Sequence, residues 1–173
     1  MIDAITSHAE ESCNPIVACI SDLYNRRCTP DICTARIRAC ISRGALANQP
    51  DAYHYPIHYA AALLHDATIV RMLVEEAGAD INAKDRALET PLSLAVQIGQ
   101  PVGFIAELIR LGADVHESAK ALLYARERGD DELMELIISA GLDLEREAGV
   151  SEEIALIKYS EYLKRLAPSA SSP

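Results

Sequence analysis

Cysteine and histidine are the residues here that could bind a metal or act as nucleophiles. Five cysteines, Cys13, Cys19, Cys28, Cys33 and Cys40, all fall in the first 40 residues. Thiolates are good zinc ligands, but the gaps of five, eight, four and six residues contain no Cys-x2-Cys pair. A disulfide scaffold would spread its cross-links through the fold, so an odd set at one end reads more simply as reduced thiols. Ile16, Cys19, Ile20 and Leu23 recur at helical spacing, as do Cys33, Ile37, Cys40 and Ile41. On such stripes cysteine serves as a small hydrophobe. Packing is therefore the first reading, with metal and redox roles as alternatives. His54 and His58 stand at the i, i+4 spacing of a helical zinc pair, but Pro56 between them breaks any common helix. His8, His65 and His116 have no carboxylate or cysteine at a metal spacing. Gly-x-Ser-x-Gly, a phosphate-cradling glycine loop and His-Glu-x-x-His are all missing from the sequence. Glu75 and Glu76 are neighbours, which on a helix point apart. No catalytic residue, metal or cofactor is expected. A metal-dependent enzyme built on the N-terminal Cys and His residues is the remote alternative.

The elements that would position these residues emerge from a self-comparison. Four segments end alike: Ile41-Ser42-Arg43-Gly44, Glu75-Glu76-Ala77-Gly78, Ile109-Arg110-Leu111-Gly112 and Ile138-Ser139-Ala140-Gly141. Their glycines are 34, 34 and 29 residues apart. Each follows an apolar helical run, where the chain leaves the helix through positive φ. Before the last three glycines come Tyr55-Pro56-Ile57-His58-Tyr59-Ala60-Ala61, Thr90-Pro91-Leu92-Ser93-Leu94-Ala95 and Lys120-Ala121-Leu122-Leu123-Tyr124-Ala125. Proline suits the first position of a helix, and small alanines let a second helix approach. The pattern predicts two short antiparallel helices per unit with a projecting turn, or finger, between units.

These stretches resemble the ankyrin repeat, through their Thr-Pro-Leu-His-like starts, their Gly-Ala-Asp endings, and Asn82 and Lys84-Asp85 after the second ending. Their spacing is close to that family's period of about 33 residues. The resemblance implies an all-α solenoid of about four helix-pair repeats with projecting turns or short hairpins, over approximately 14–54, 55–88, 89–118 and 119–150. Asn14-Pro15-Ile16 and Thr29-Pro30-Asp31 are read as helix starts in the irregular first repeat. Residues 151–166 are expected to form a C-terminal capping helix, closing a single domain of residues 1–166, and residues 167–173 a disordered tail. Tyr55 and Lys120 replace the threonine that would cap a first helix. The third finger is four residues short and is not expected to form a full hairpin. The resemblance gives His58 a structural role, bonding a neighbouring turn.

Composition narrows the function. The 173 residues are 50% hydrophobic and 24% charged, a globular balance. The net charge of −10 repels nucleic acid and anionic membranes on average. Residues 1–50 are neutral, with Asp3, Glu10, Glu11, Asp22 and Asp31 against Arg26, Arg27, Arg36, Arg38 and Arg43, so the excess acid lies beyond them. It thickens from Asp130 onward, as a solvated face or as a patch steering a basic partner. No run approaches the roughly 18 apolar residues of a membrane helix. The start Met1-Ile2-Asp3-Ala4 carries an acid where a secretory signal would carry lysine or arginine. A cytoplasmic location is expected, with export that uses no such signal as an alternative.

A curved stack lacks the dry cleft of an enzyme and suits recognition of a protein or peptide. In ankyrin proteins partners usually touch the finger tips and the first helices. Mapped here, this implies Asn48, Gln49, Asp51, Tyr53 and His54 on the first finger. The second finger contributes Lys84, Asp85, Arg86, Leu88 and Glu89, and the third His116 and Glu117. Tyr59, Leu94 and Tyr124 occupy one position on three successive first helices, either as a contact stripe or as packing between repeats. The expected function is non-catalytic binding of a protein or peptide partner by a chain that is monomeric when free. A bacterial or viral effector or immunity-type inhibitor of one target is an alternative. Self-association through the Cys-rich first repeat is another.

Overall fold

Proline at the first position opens four helices in the computed structural model, which describes residues 2–11, 14–51, 53–116 and 119–140. Along the chain the described helices are α1 (Ile2–Glu11), α2 (Pro15–Tyr24), α3 (Pro30–Ser42), α4 (Pro56–Leu63) and α5 (Thr68–Glu75). They continue with α6 (Pro91–Ile98), α7 (Val102–Arg110), α8 (Ala119–Arg128) and α9 (Asp131–Ser139). The expected starts in the first repeat hold. Asn14 Oδ1 accepts from the Ile16 N–H at 3.0 Å, and Thr29 caps α3. Thr90 and Ser93 form a reciprocal capping box on α6, whereas Tyr55 offers α4 no side-chain cap. Gly44, Gly78 and Gly112 have φ of +94°, +65° and +98° and lead the chain out of α3, α5 and α7. Gly141, the proposed capping helix 151–166 and the tail 167–173 lie outside the described residues.

Helices α2/α3, α4/α5, α6/α7 and α8/α9 pair antiparallel, and the first helices α2, α4, α6 and α8 pack side by side. The second helices touch one another more sparsely, so the first helices form the tighter, inner row of the stack. This is an all-α stack of helix pairs, consistent with the solenoid that the resemblance implies. Its core includes Ile16, Ile20, Ile37, Ile57, Leu73, Leu92, Ile105, Leu108, Leu133 and Ile137. Cys19 and Cys33 join that core, with the Cys33 thiol donating to the Cys19 carbonyl at 3.3 Å. Among the described residues no finger forms a strand. Each of the first two is closed by backbone pairing at its neck, Asp51 N–H to His54 O and Asp85 N–H to Glu89 O. Short turns replace the hairpins considered from sequence.

One unit is bolted to the next by a recurring asparagine. Asn48 donates to Gly78 O at 2.7 Å and accepts from the Asp80 N–H at 2.8 Å. Asn82 repeats this with Gly112 O at 3.1 Å and the Asp114 N–H at 2.8 Å. Each bridge satisfies a helix-end carbonyl and a turn amide of the following unit. Replacing Asn82 with alanine is expected to lower stability by about 1–2 kcal/mol, the net worth of two such bonds. A urea midpoint unchanged from wild type would show that water substitutes for the bridge. Outside, Arg38 pairs with Glu76, and Glu107 receives both Arg71 and Arg110, linking α3 to α5 and α5 to α7. The two arginines hold the Glu107 carboxyl at about 2, yet pairs this exposed add little stability.

An element not expected from sequence is α1. It packs against the first helices α2 and α4, burying Ile5 and Ala9, and so extends the fold ahead of the first repeat.

Candidate functional site

The first two fingers are built alike around an aspartate. Asp51 Oδ1 accepts from the Tyr53 and His54 N–H groups at 2.8 and 2.9 Å. Asp85 Oδ1 accepts from the Ala87 and Glu89 N–H groups at the same two distances. These carboxylates hold the turns in shape. The residues just before the finger necks close, Tyr53 and Leu88, are thereby thrown outward. Tyr53 is 45% exposed and Leu88 70% exposed. Leu88 also sits at φ +60°, a left-handed conformation that costs a branched side chain roughly 1–2 kcal/mol. Lys84 and Arg86 are exposed on the same finger.

Other residues expected at the contact surface lie inside. Asp85 is 7% exposed; its Oδ2 accepts from His54 Nδ1 at 2.9 Å, fastening one finger to the next. Glu89 is buried as well, and accepts from the Ser93 and Tyr124 hydroxyls. Tyr59 and Leu94 are fully enclosed, so this pair follows the packing alternative and presents no contact stripe. The Tyr59 hydroxyl donates to Asp51 Oδ2 at 2.6 Å; burial, and then this bond, push its pKa up. Tyr124 is half-buried, its hydroxyl raised to about 12 by burial and by Glu89. His116 and His54 are half-buried. Asn48 is exposed, but both ends of its amide serve the bridge to the next unit. Glu117 lies outside the described residues.

An aromatic file runs along the inner side of the first finger. The His8 ring of α1 lies flat on Tyr53, with centroids 3.6 Å apart and planes 4° from parallel. His54 stands edge-on to Tyr59 and stacks on His58 at 5.9 Å. His58 is completely buried, and its Nε2 donates to the Glu89 carbonyl at 2.9 Å. That is the turn-bonding role implied by the resemblance. Burial lowers its pKa to about 4, so the ring is neutral. Among the described residues no three His, Cys, Asp or Glu side chains converge as a metal site. Burial holds the Cys19 and Cys33 thiols at about 11 and 12, far from the reactive thiolate.

Two structural residues escaped the sequence reading. Gln100, buried after α6, donates from Nε2 to Ala61 O and Ala62 O, and its Oε1 meets His65 at 2.6 Å. Gly99, at φ +91°, lies where a Cβ would strike the Arg128 guanidinium. A broad shallow depression lined by Leu23, Tyr24, Leu63, Leu64 and Ile69 lies at the helix ends away from the fingers. Among the described residues no helix is long and apolar enough to cross a membrane.

The family model for the ankyrin repeat matches residues 53–86, from the first finger to the second. No curated protein matches the chain.

Proposed function

We propose that this ankyrin-repeat solenoid, a type of module that binds other proteins, acts without catalysis by gripping one protein partner on its fingers and inner face. The observation that carries the reading is Leu88. An exposed leucine in a left-handed backbone is unfavourable for folding, and strain of this kind gathers at recognition sites. Tyr53 occupies the corresponding tip of the preceding finger, so two large apolar groups face outward on adjacent units. Lys84 and Arg86 flank the second tip with positive charge, and His54 and His116 complete the finger row. Tyr124 reaches the same side through Glu89. Asp85, Tyr59 and Leu94 shape this surface from within.

An adaptor and a single-target inhibitor of the effector type would use the same surface. The acids of α9 (Asp131, Glu132 and Glu135) are exposed on the outer helices, so a basic partner steered by them would approach the opposite face. The described cysteines are free thiols, which suits a reducing compartment such as the cytoplasm.

The test is affinity capture from native lysate with wild type and two variants, Leu88→Gly and Tyr53→Ala. Leu88→Gly is expected to raise stability by about 1 kcal/mol, since glycine adopts positive φ freely. The same change is expected to weaken the captured complex by about 1–3 kcal/mol. Binding by both variants equal to that of wild type would move the surface elsewhere.

A further inference from the structure

We infer that the face formed by α2, α4 and Tyr53 is a receptor for a short amphipathic helix, and that α1 is the chain's own tethered occupant of it. The inference rests on reading the inner face as the recognition surface, and it names the class of partner: a helix rather than an extended strand.

Helix α1 stands ahead of the first repeat unit and contributes to no helix pair. It lies across two neighbouring first helices, on the side that carries the first finger. Its anchors follow one helical face. Ile5 and Ala9 are enclosed, and His8 between them covers the Tyr53 ring. The hydroxyls of Thr6 and Ser7 bond back to Ile2 O and Asp3 O inside α1 itself, so they add nothing to docking.

The seat is imperfectly filled. His8 Nδ1 is buried with no hydrogen-bond partner, a defect that a purely apolar ring would remove. Ten residues are too few for a stable isolated helix in water, so α1 persists by being docked and unravels when displaced. A competing helix therefore needs an aliphatic side chain, a flat ring three residues later and a small residue directly after it. With an apolar ring in place of imidazole, it would outbid α1 at Tyr53.

The experiment uses the full chain in three forms: wild type, Ile5→Asp and His8→Ala. The probe is a fluorescent synthetic peptide of residues 1–13. It is expected to bind Ile5→Asp about tenfold more tightly than wild type, because in wild type the tethered copy must leave first. His8→Ala should fall between them. By hydrogen exchange, α1 should open in wild type before α4 and α6, and Ile5→Asp should strip protection from α1 alone. Equal peptide binding by all three forms overturns the inference. So does joint loss of protection in α1, α4 and α6, which would make α1 part of the core. These readouts need no natural partner. Their failure leaves capture through Leu88 standing, and a failed capture leaves them standing.

Discussion

Tyr59→Ala is expected to lower folding stability by about 3–5 kcal/mol, the range for removing a buried aromatic ring. The whole side chain is enclosed on α4, at 0% exposure, so its loss opens a cavity between first helices that already pack closely. The substitution also strips Asp51 Oδ2 of its 2.6 Å hydroxyl donor, and Asp51 is the residue that shapes the first finger. Tyr59→Phe separates the two effects. It keeps the ring and should cost about 1–3 kcal/mol, from an acceptor left one donor short. Urea unfolding of the three proteins measures both. A Tyr59→Ala chain as stable as wild type but unable to hold a partner would return this residue to the contact surface.

Tyr59 is ambiguous in the sequence for a physical reason. Periodicity aligns it with Leu94 and Tyr124 and so places all three on one row of first helices. It does not reveal how closely those helices approach. The observed row is graded: Tyr59 and Leu94 are sealed, while Tyr124 remains half-buried. The proline helix starts and glycine exits were legible because they depend on local chemistry, with proline to begin a helix and glycine at positive φ to leave it. The same holds for Asn14 and Thr29, whose side chains cap their own helices.

Groups whose work spans two units were not legible as such. Asn48 reads as an exposed finger residue until Gly78 and Asp80 are brought beside it, 30 and 32 residues further along the chain. Asp85 reads as surface until His54 arrives from the preceding finger. Helix α1 escaped for a different reason. Its anchors are one isoleucine, one alanine and a histidine, too few apolar residues to make a periodic signal. Leu88 reads as a finger residue, and nothing in the sequence signals its left-handed backbone.

Between the ordinary histidine pKa and about pH 4, acid should destabilise the fold at His58. Its folded-state pKa of about 4 lies below the ordinary histidine value of 6.5, chiefly because burial disfavours the charged ring. The geometry gives the same direction. Nε2 already carries the proton it donates to the Glu89 carbonyl, and Nδ1 faces the interior with no hydrogen-bond partner, so a second proton would find no acceptor. Between those two pH values the unfolded chain binds more protons at this site than the folded one. Stability is therefore full above about pH 6.5 and falls as pH drops toward 4, by about 3 kcal/mol in total. His58→Gln supplies the control, because its amide can donate to the same carbonyl and does not titrate. Urea midpoints between pH 7 and pH 4.5 should fall more steeply in wild type than in His58→Gln. Parallel curves would mean that His58 is protonated in the folded stack without penalty, against its burial and its tautomer.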